Sequence, residues 1–161
     1  MLDLVAKFFT RGDPRRDAKI GLARIISRYE MTGLSYKHGI ADERRSRDER
    51  YVPMGVWLFP CSETATSADL NLSSGVPAVT HNLRIEGFGV MTPVRLKHRH
   101  FVVAVPDEND VWRFFRCDVR HNTARPGHWF LLGLQVATAL VLDGEQCVEF
   151  RSHTSKVCDA N

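Results

Sequence analysis

No window of the sequence approaches eighteen consecutive apolar residues, so no helical membrane span is expected. Residues 1–9 are apolar but broken by Asp3 and Lys7. They lack the basic region followed by an apolar run that marks a secretory signal. The expectation is a cytoplasmic protein. Cysteine is sparse and scattered: Cys61, Cys117, Cys147 and Cys158 form no Cys-x-x-Cys pair, which argues against zinc or dithiol redox chemistry. In a reducing compartment they are expected as thiols, with Cys117, inside an apolar run, in the core. His98, His100, His121 and His128 lack acidic or thiol partners at ligand spacing, so no metal site and no cofactor are expected. There is no nucleophile–base–orienter set and no paired-carboxylate motif, which argues against an enzyme. Internal repeats are absent too.

What is present fits one domain with an extension. The chain has 161 residues, 43% of them hydrophobic, enough to fill one sizeable core. Its net charge is only +3, but the distribution is uneven. Residues 11–50 hold eleven Lys/Arg against seven Asp/Glu, so the basic character belongs to the N-terminal third. An anionic partner is expected there.

Asp13-Pro14 reads as a helix start, a capping carboxylate followed by proline at the first helical position. Leu22, Ile25, Ile26 and Tyr29 then follow the spacing of one apolar helix face, predicting an amphipathic helix over residues 14–31. A shorter helix over residues 2–9 is a further expectation. Residues 32–50 are polar and end in a charged run. Beyond Pro53 come short runs rich in Val, Phe, Trp or Leu, at residues 54–59, 77–83, 89–96, 101–105, 111–119, 129–136 and 147–151. Turn signals such as Asp143-Gly144 separate them. The fold class is therefore mainly β, a six- or seven-stranded antiparallel β-barrel with an N-terminal helical extension. The expected boundaries are residues 1–40 for the extension, 41–151 for the barrel and 152–161 for a loose tail.

Two segments carry the chemistry. Arg44, Arg45, Arg47 and Arg50 form a strip of guanidinium groups just ahead of the first strand. Such planar, permanently charged groups can stack on a purine and donate forked hydrogen bonds to phosphate or to guanine. Asn82-Leu83-Arg84-Ile85-Glu86-Gly87, followed by Phe88-Gly89, joins two strands with an amide at its start and two glycines at its end. Those glycines permit a tight turn or the close approach of a flat ligand. Taken alone, each segment also fits a solvated charged loop or an ordinary hairpin.

Together the segments resemble the PilZ family of cyclic di-GMP receptors. That family places Arg-x-x-x-Arg, often with a doubled first arginine, before its first barrel strand, and Asp/Asn-x-Ser-x-x-Gly at a later turn. Arg44-Arg45 with Arg50 is similar to the first motif, one residue longer in its spacing. Asn82-x-Arg84-x-x-Gly87 is similar to the second, with Arg84 where the family has serine. The finish, Trp129-Phe-Leu-Leu-Gly133-Leu134, also suits the family. The resemblance covers roughly residues 44–140 and implies cyclic di-GMP as ligand. It further implies arginines that clamp phosphate and stack on guanine, Asn82 on a guanine edge, and Gly87 shaping the turn. An effector protein would read the change, and the N-terminal helix could pair two copies. The alternative is a degenerate PilZ-like domain that binds no nucleotide and serves as an interaction or dimerisation module. Nucleic acid is the least supported ligand, since the strands themselves are not basic.

Overall fold

The computed structural model describes residues 13–31 and 51–158. The expected helix over residues 2–9 and the arginines Arg44, Arg45, Arg47 and Arg50 lie outside the described residues.

The first element is helix α1 (Pro14–Met31), which starts where the sequence indicates. Asp13 Oδ1 accepts the Arg15 amide at 3.0 Å, satisfying a donor that the first helical turn leaves open. Strands β1 (Gly55–Pro60), β2 (Val76–Arg84), β3 (Gly87–Thr92), β4 (His100–Pro106), β5 (Trp112–Arg125) and β6 (Trp129–Leu140) follow. They close into an antiparallel barrel in the order β1-β2-β3-β6-β5-β4, with β4 returning to β1. Closure leaves no sheet edge open.

The expected seventh strand, over residues 147–151, is instead helix α2 (Gly144–Cys158), and the stretch expected as a loose tail from residue 152 begins inside it. The physical reason is the start of the segment. Asp143 Oδ1 accepts the Gln146 amide at 2.8 Å, and Gln146 Oε1 accepts the Asp143 amide at 3.1 Å. This reciprocal capping box turns Asp143-Gly144 from a hairpin signal into a helix N-terminus.

Two clusters explain why the runs in β1 and β4 are apolar without alternation. Val56 and Leu58 of β1 and Phe101, Val103 and Val105 of β4 belong to the barrel interior, with Phe88, Phe115 and Leu132. Their neighbours Trp57, Phe59, Val102 and Ala104 face outward into a second cluster. Phe150 of α2 is fully buried there, its ring 5.1 Å from those of Trp112 and Phe114 and 6.0 Å from Phe59. Strands covered on both faces need apolar residues at every position.

Both barrel mouths are covered. At one, α1 lays Ala18, Leu22, Ile25 and Ile26 into the interior cluster, so its apolar face is occupied by the barrel. Arg28 and Arg113 converge on Asp107 in the β4–β5 connection, with Arg28 Nη1 at 3.1 Å. Burial pushes the Asp107 carboxyl up. The hydrogen bonds from Arg113 and the Glu108 amide, with the charges of Arg113 and Arg28, outweigh it and hold the group below its ordinary range. At the other mouth the β3–β4 connection crosses the opening, and half-buried Leu96 packs on the core. The Asn122 amide donates to the Leu96 carbonyl at 2.8 Å. Cys117 is in the core as expected, and burial pushes its thiol well above the ordinary range.

Candidate functional site: a glycine-floored shelf

The outer face of β2, β3, β6 and β5 carries no helix and has an unusual floor. Asn82 of β2 pairs with Gly89 of β3, Gly89 with Gly133 of β6, and Gly133 with His121 of β5. One row across four strands therefore reads Asn-Gly-Gly-His. A side chain at Gly89 would put its first carbon 2.0 Å from Asn82 Oδ1, and one at Gly133 would put it 2.0 Å from the His121 ring. The two flanking side chains thus lie over the bare backbone of the two glycines. Only glycine permits this arrangement.

Bulges on both sides aim those side chains. The β2–β3 register shifts between Thr80 and Asn82, and the β5–β6 register shifts between Val119 and His121. Thr80 stays inside, where its hydroxyl accepts the Met54 amide at 2.9 Å and donates to the Val52 carbonyl. After each extra residue, Asn82 and His121 emerge on the outer face. Bulges commonly re-aim side chains beside binding sites.

The neighbouring row is polar. Arg84 pairs with Gly87, and Gly87 with Gln135, whose Oε1 accepts Arg120 Nε at 2.6 Å. Beyond it Lys19 of α1 reaches Glu86 at 3.5 Å, both ends exposed. The row on the other side is apolar, running Val79, Met91, Leu131. Between the two rows lies a cavity of about 400 Å³ that Asn82, Arg84, Gly87, Gly89, Arg120, His121, Gly133 and Gln135 help to line. This lies within the range of roughly 300–1,000 Å³ typical of small-molecule sites. A wider depression of about 1000 Å³ runs along α2, but Asp143, Glu145 and Glu149 line it without any Lys or Arg. For an anion the smaller, basic shelf is the better site.

Of the sequence-predicted site residues, Asn82, Arg84 and Gly87 come together on this shelf. Gly87 begins β3 directly after the β2–β3 turn, and its φ is not positive. Its missing side chain serves close packing, since a first carbon there would sit 2.1 Å from the Leu134 carbonyl oxygen of β6. Arg120, His121 and Gln135 escape sequence reasoning. Their signal is cross-strand register, which no local motif reports.

At the shelf, polar side chains meet the bare backbone of Gly89 and Gly133. Among the described residues, no three His, Cys, Asp or Glu side chains converge as a metal site would require. No described helix is long and apolar enough to cross a membrane. No family model and no curated protein matches the chain. A solved structure of the Bacillus subtilis inhibitor of motility (MotI/DgrA) is similar, with a TM-score of 0.45 and 12% identity. The likeness covers 78% of this chain but only 64% of that one, and at this level it carries no argument about function.

Proposed function

We propose that the chain is a PilZ-like receptor domain that binds cyclic di-GMP on the glycine-floored shelf and relays its presence to an effector protein, without catalysing a reaction. The observation that carries this reading is the row Asn82-Gly89-Gly133-His121. It sets an amide and an imidazole low over two side-chain-free positions, a platform on which a purine could stack and bond, with the Arg84 and Arg120 guanidinium groups one row away for phosphate. The apolar row on the other side suits a base's unhydrated face.

The entry point of the arginine strip supports the same reading. Tyr51, covalently next to Arg50, sets its ring 5.3 Å from that of His81, and His81 precedes Asn82. Thr80 holds the following backbone, through Val52 and Met54, against β2. The chain is therefore anchored beside the shelf from Tyr51 onward, the residue that follows the arginine strip in sequence. A bound anion would draw the strip onto the shelf, coupling ligand binding to the connection between α1 and the barrel.

Titration calorimetry with cyclic di-GMP tests the reading. The wild type is expected to release or absorb heat in a saturable way. Asn82→Ala, Arg120→Ala and the Arg44→Ala/Arg45→Ala pair should each weaken binding about tenfold, about 1.4 kcal/mol. Binding unchanged in all three would sink the site. No binding in the wild type, restored by Arg84→Ser, would favour the second reading, a degenerate domain acting as an interaction module. The observation favouring that reading is Arg84 itself, a long cation at the edge of the cavity where the family has a small hydroxyl.

A further inference from the structure

The barrel mouth opposite α1 carries an unbalanced charge that the shelf does not use. Strand β4 pairs with β5 only as far as Asp118, whereas β5 and β6 pair with each other out to Arg125 and Trp129. The outer part of β5 is therefore unpaired on its β4 side, while β6 stays paired with β3 up to Phe130. The 93–99 connection is tied to the base of the β5–β6 tip, with the Val119 amide donating to the Arg99 carbonyl at 2.8 Å. These two segments expose Arg95, Lys97, Arg99 and Arg125, and neither residues 93–99 nor residues 119–129 contain an Asp or Glu.

The four cations differ from the basic residues nearer the barrel body. Arg28, Arg113, Arg116 and Arg120 each bond a carboxylate, carbonyl or amide oxygen. Among the described residues, Arg95, Lys97, Arg99 and Arg125 form no ion pair. The β1–β2 connection opens at the same mouth, where the Cys61 amide donates to the His100 carbonyl, but two acids there have partners of their own: Asp69 accepts from Thr66, and Asp118 lies against His100 and Arg116. Two apolar side chains stand exposed among the cations, Val94 at 50% and Trp129 at 40%. The last β3–β6 pair is Thr92 with Phe130, so each lies within two residues of the same rung.

We propose that this tip docks on an anionic lipid bilayer, with Arg95, Lys97, Arg99 and Arg125 meeting the phosphate surface and Trp129 and Val94 entering the headgroup layer. Unpaired cations gain attraction from a negative surface without breaking an internal ion pair. A Trp ring with one apolar body and one N–H suits the headgroup boundary. The placement favours a planar partner: the cations sit on the 93–99 connection and the β5–β6 turn, side by side at one barrel mouth. A nucleic-acid strand would instead call for a groove with several large aromatic platforms, and these segments expose a single Trp and no Tyr or Phe.

Co-sedimentation of the full chain with vesicles tests the proposal, comparing pure phosphatidylcholine with phosphatidylcholine containing about one quarter phosphatidylglycerol. The chain should partition onto the anionic vesicles alone, and the partition should fall about tenfold when salt is raised to about 0.5 M. Arg95→Glu/Lys97→Glu should abolish it and Trp129→Ala should weaken it, with far-ultraviolet circular dichroism unchanged because all three positions are exposed. Arg125→Gln provides an independent variant should the pair misfold. Equal partition onto neutral vesicles, no partition onto anionic ones, or partition unaffected by these substitutions overturns the proposal. So does tighter, salt-sensitive binding to oligodeoxythymidine that the same variants abolish, which would make nucleic acid the partner.

Discussion

Gly87 and Gly133 look equally crowded, yet replacing each with alanine should have opposite consequences. At Gly87 the three nearest atoms to a new Cβ are all backbone: the Leu134 oxygen at 2.1 Å, its carbon at 3.2 Å and Gln135 Cα at 3.3 Å. Backbone within a closed barrel cannot swing aside. Relief requires β3 and β6 to part by about 1 Å, loosening the Gly87–Gln135 pair and the 2.8 Å bond from the Val136 amide to the Glu86 carbonyl. Overpacking of this kind and a weakened hydrogen bond together cost about 2–3 kcal/mol. At Gly133 the nearest atoms, at 2.0, 2.4 and 2.6 Å, all belong to the exposed His121 ring, which can rotate into solvent. The cost of moving it is within about 1 kcal/mol, and alanine recovers part through its smaller chain entropy. Urea denaturation of the two variants should therefore show a clear loss for Gly87→Ala and almost none for Gly133→Ala. In thermal melts the loss corresponds to roughly 5–10 °C. Calorimetry should show the reverse order of specificity: Gly133→Ala keeps the fold but displaces the imidazole and fills the floor, weakening ligand binding about tenfold. Equal destabilisation by both substitutions would falsify the claim that His121 rests on the shelf rather than being packed into it.

The remaining expectations concern the supports of the shelf. Because the Asp107 carboxyl is held below its ordinary range when folded, it contributes stability above its unfolded value of about 4 and loses it as pH falls through the lower folded value. Asp107→Asn should accordingly flatten the acid limb of a stability–pH profile, measured by urea midpoints, and Asp107→Ala should cost about 2 kcal/mol at neutral pH by freeing Arg28 and Arg113. Phe150→Ala should cost about 3–5 kcal/mol in chemical denaturation, since it removes the one ring through which α2 meets Phe59, Trp112 and Phe114. Cys117 should resist a thiol reagent in the native protein and react only on unfolding, because burial both covers it and raises its pKa. Rapid labelling of the native thiol would contradict its place in the core.

Local chemistry made α1 and the six strands legible. Asp13-Pro14 marks a start that depends only on its own first turn, and the apolar face from Leu22 to Ile26 is a property of helical period alone. Strand ends were less legible: the readings 111–119 and 129–136 fall short of β5 and β6, which continue to Arg125 and Leu140. The missed part of β5 carries Arg120, His121 and Arg125, polar residues that end an apolar run although the ladder continues, and the missed part of β6 is the weakly patterned Ala-Thr-Ala-Leu of residues 137–140. Asp143-Gly144 misled for a related reason. A hairpin turn and a capping box share those two residues, and the distinguishing one is Gln146, two positions further on.

The binding face shows where sequence reading reaches its limit. Asn82 and Gly87 stand in one local motif, so a linear pattern can find them, and Gly133 stands out as a glycine in an apolar strand. That Gly133 lies beside Gly89, and that His121 covers it, depends on two inter-strand pairings and on a bulge at residues 119–121. Slipping β6 by one residue would put Leu132 or Leu134 in the floor and turn Gly133 into the core. The shelf is therefore a property of register, and the closed barrel, which fixes every register through its two neighbours, is what makes four separated residues into one site.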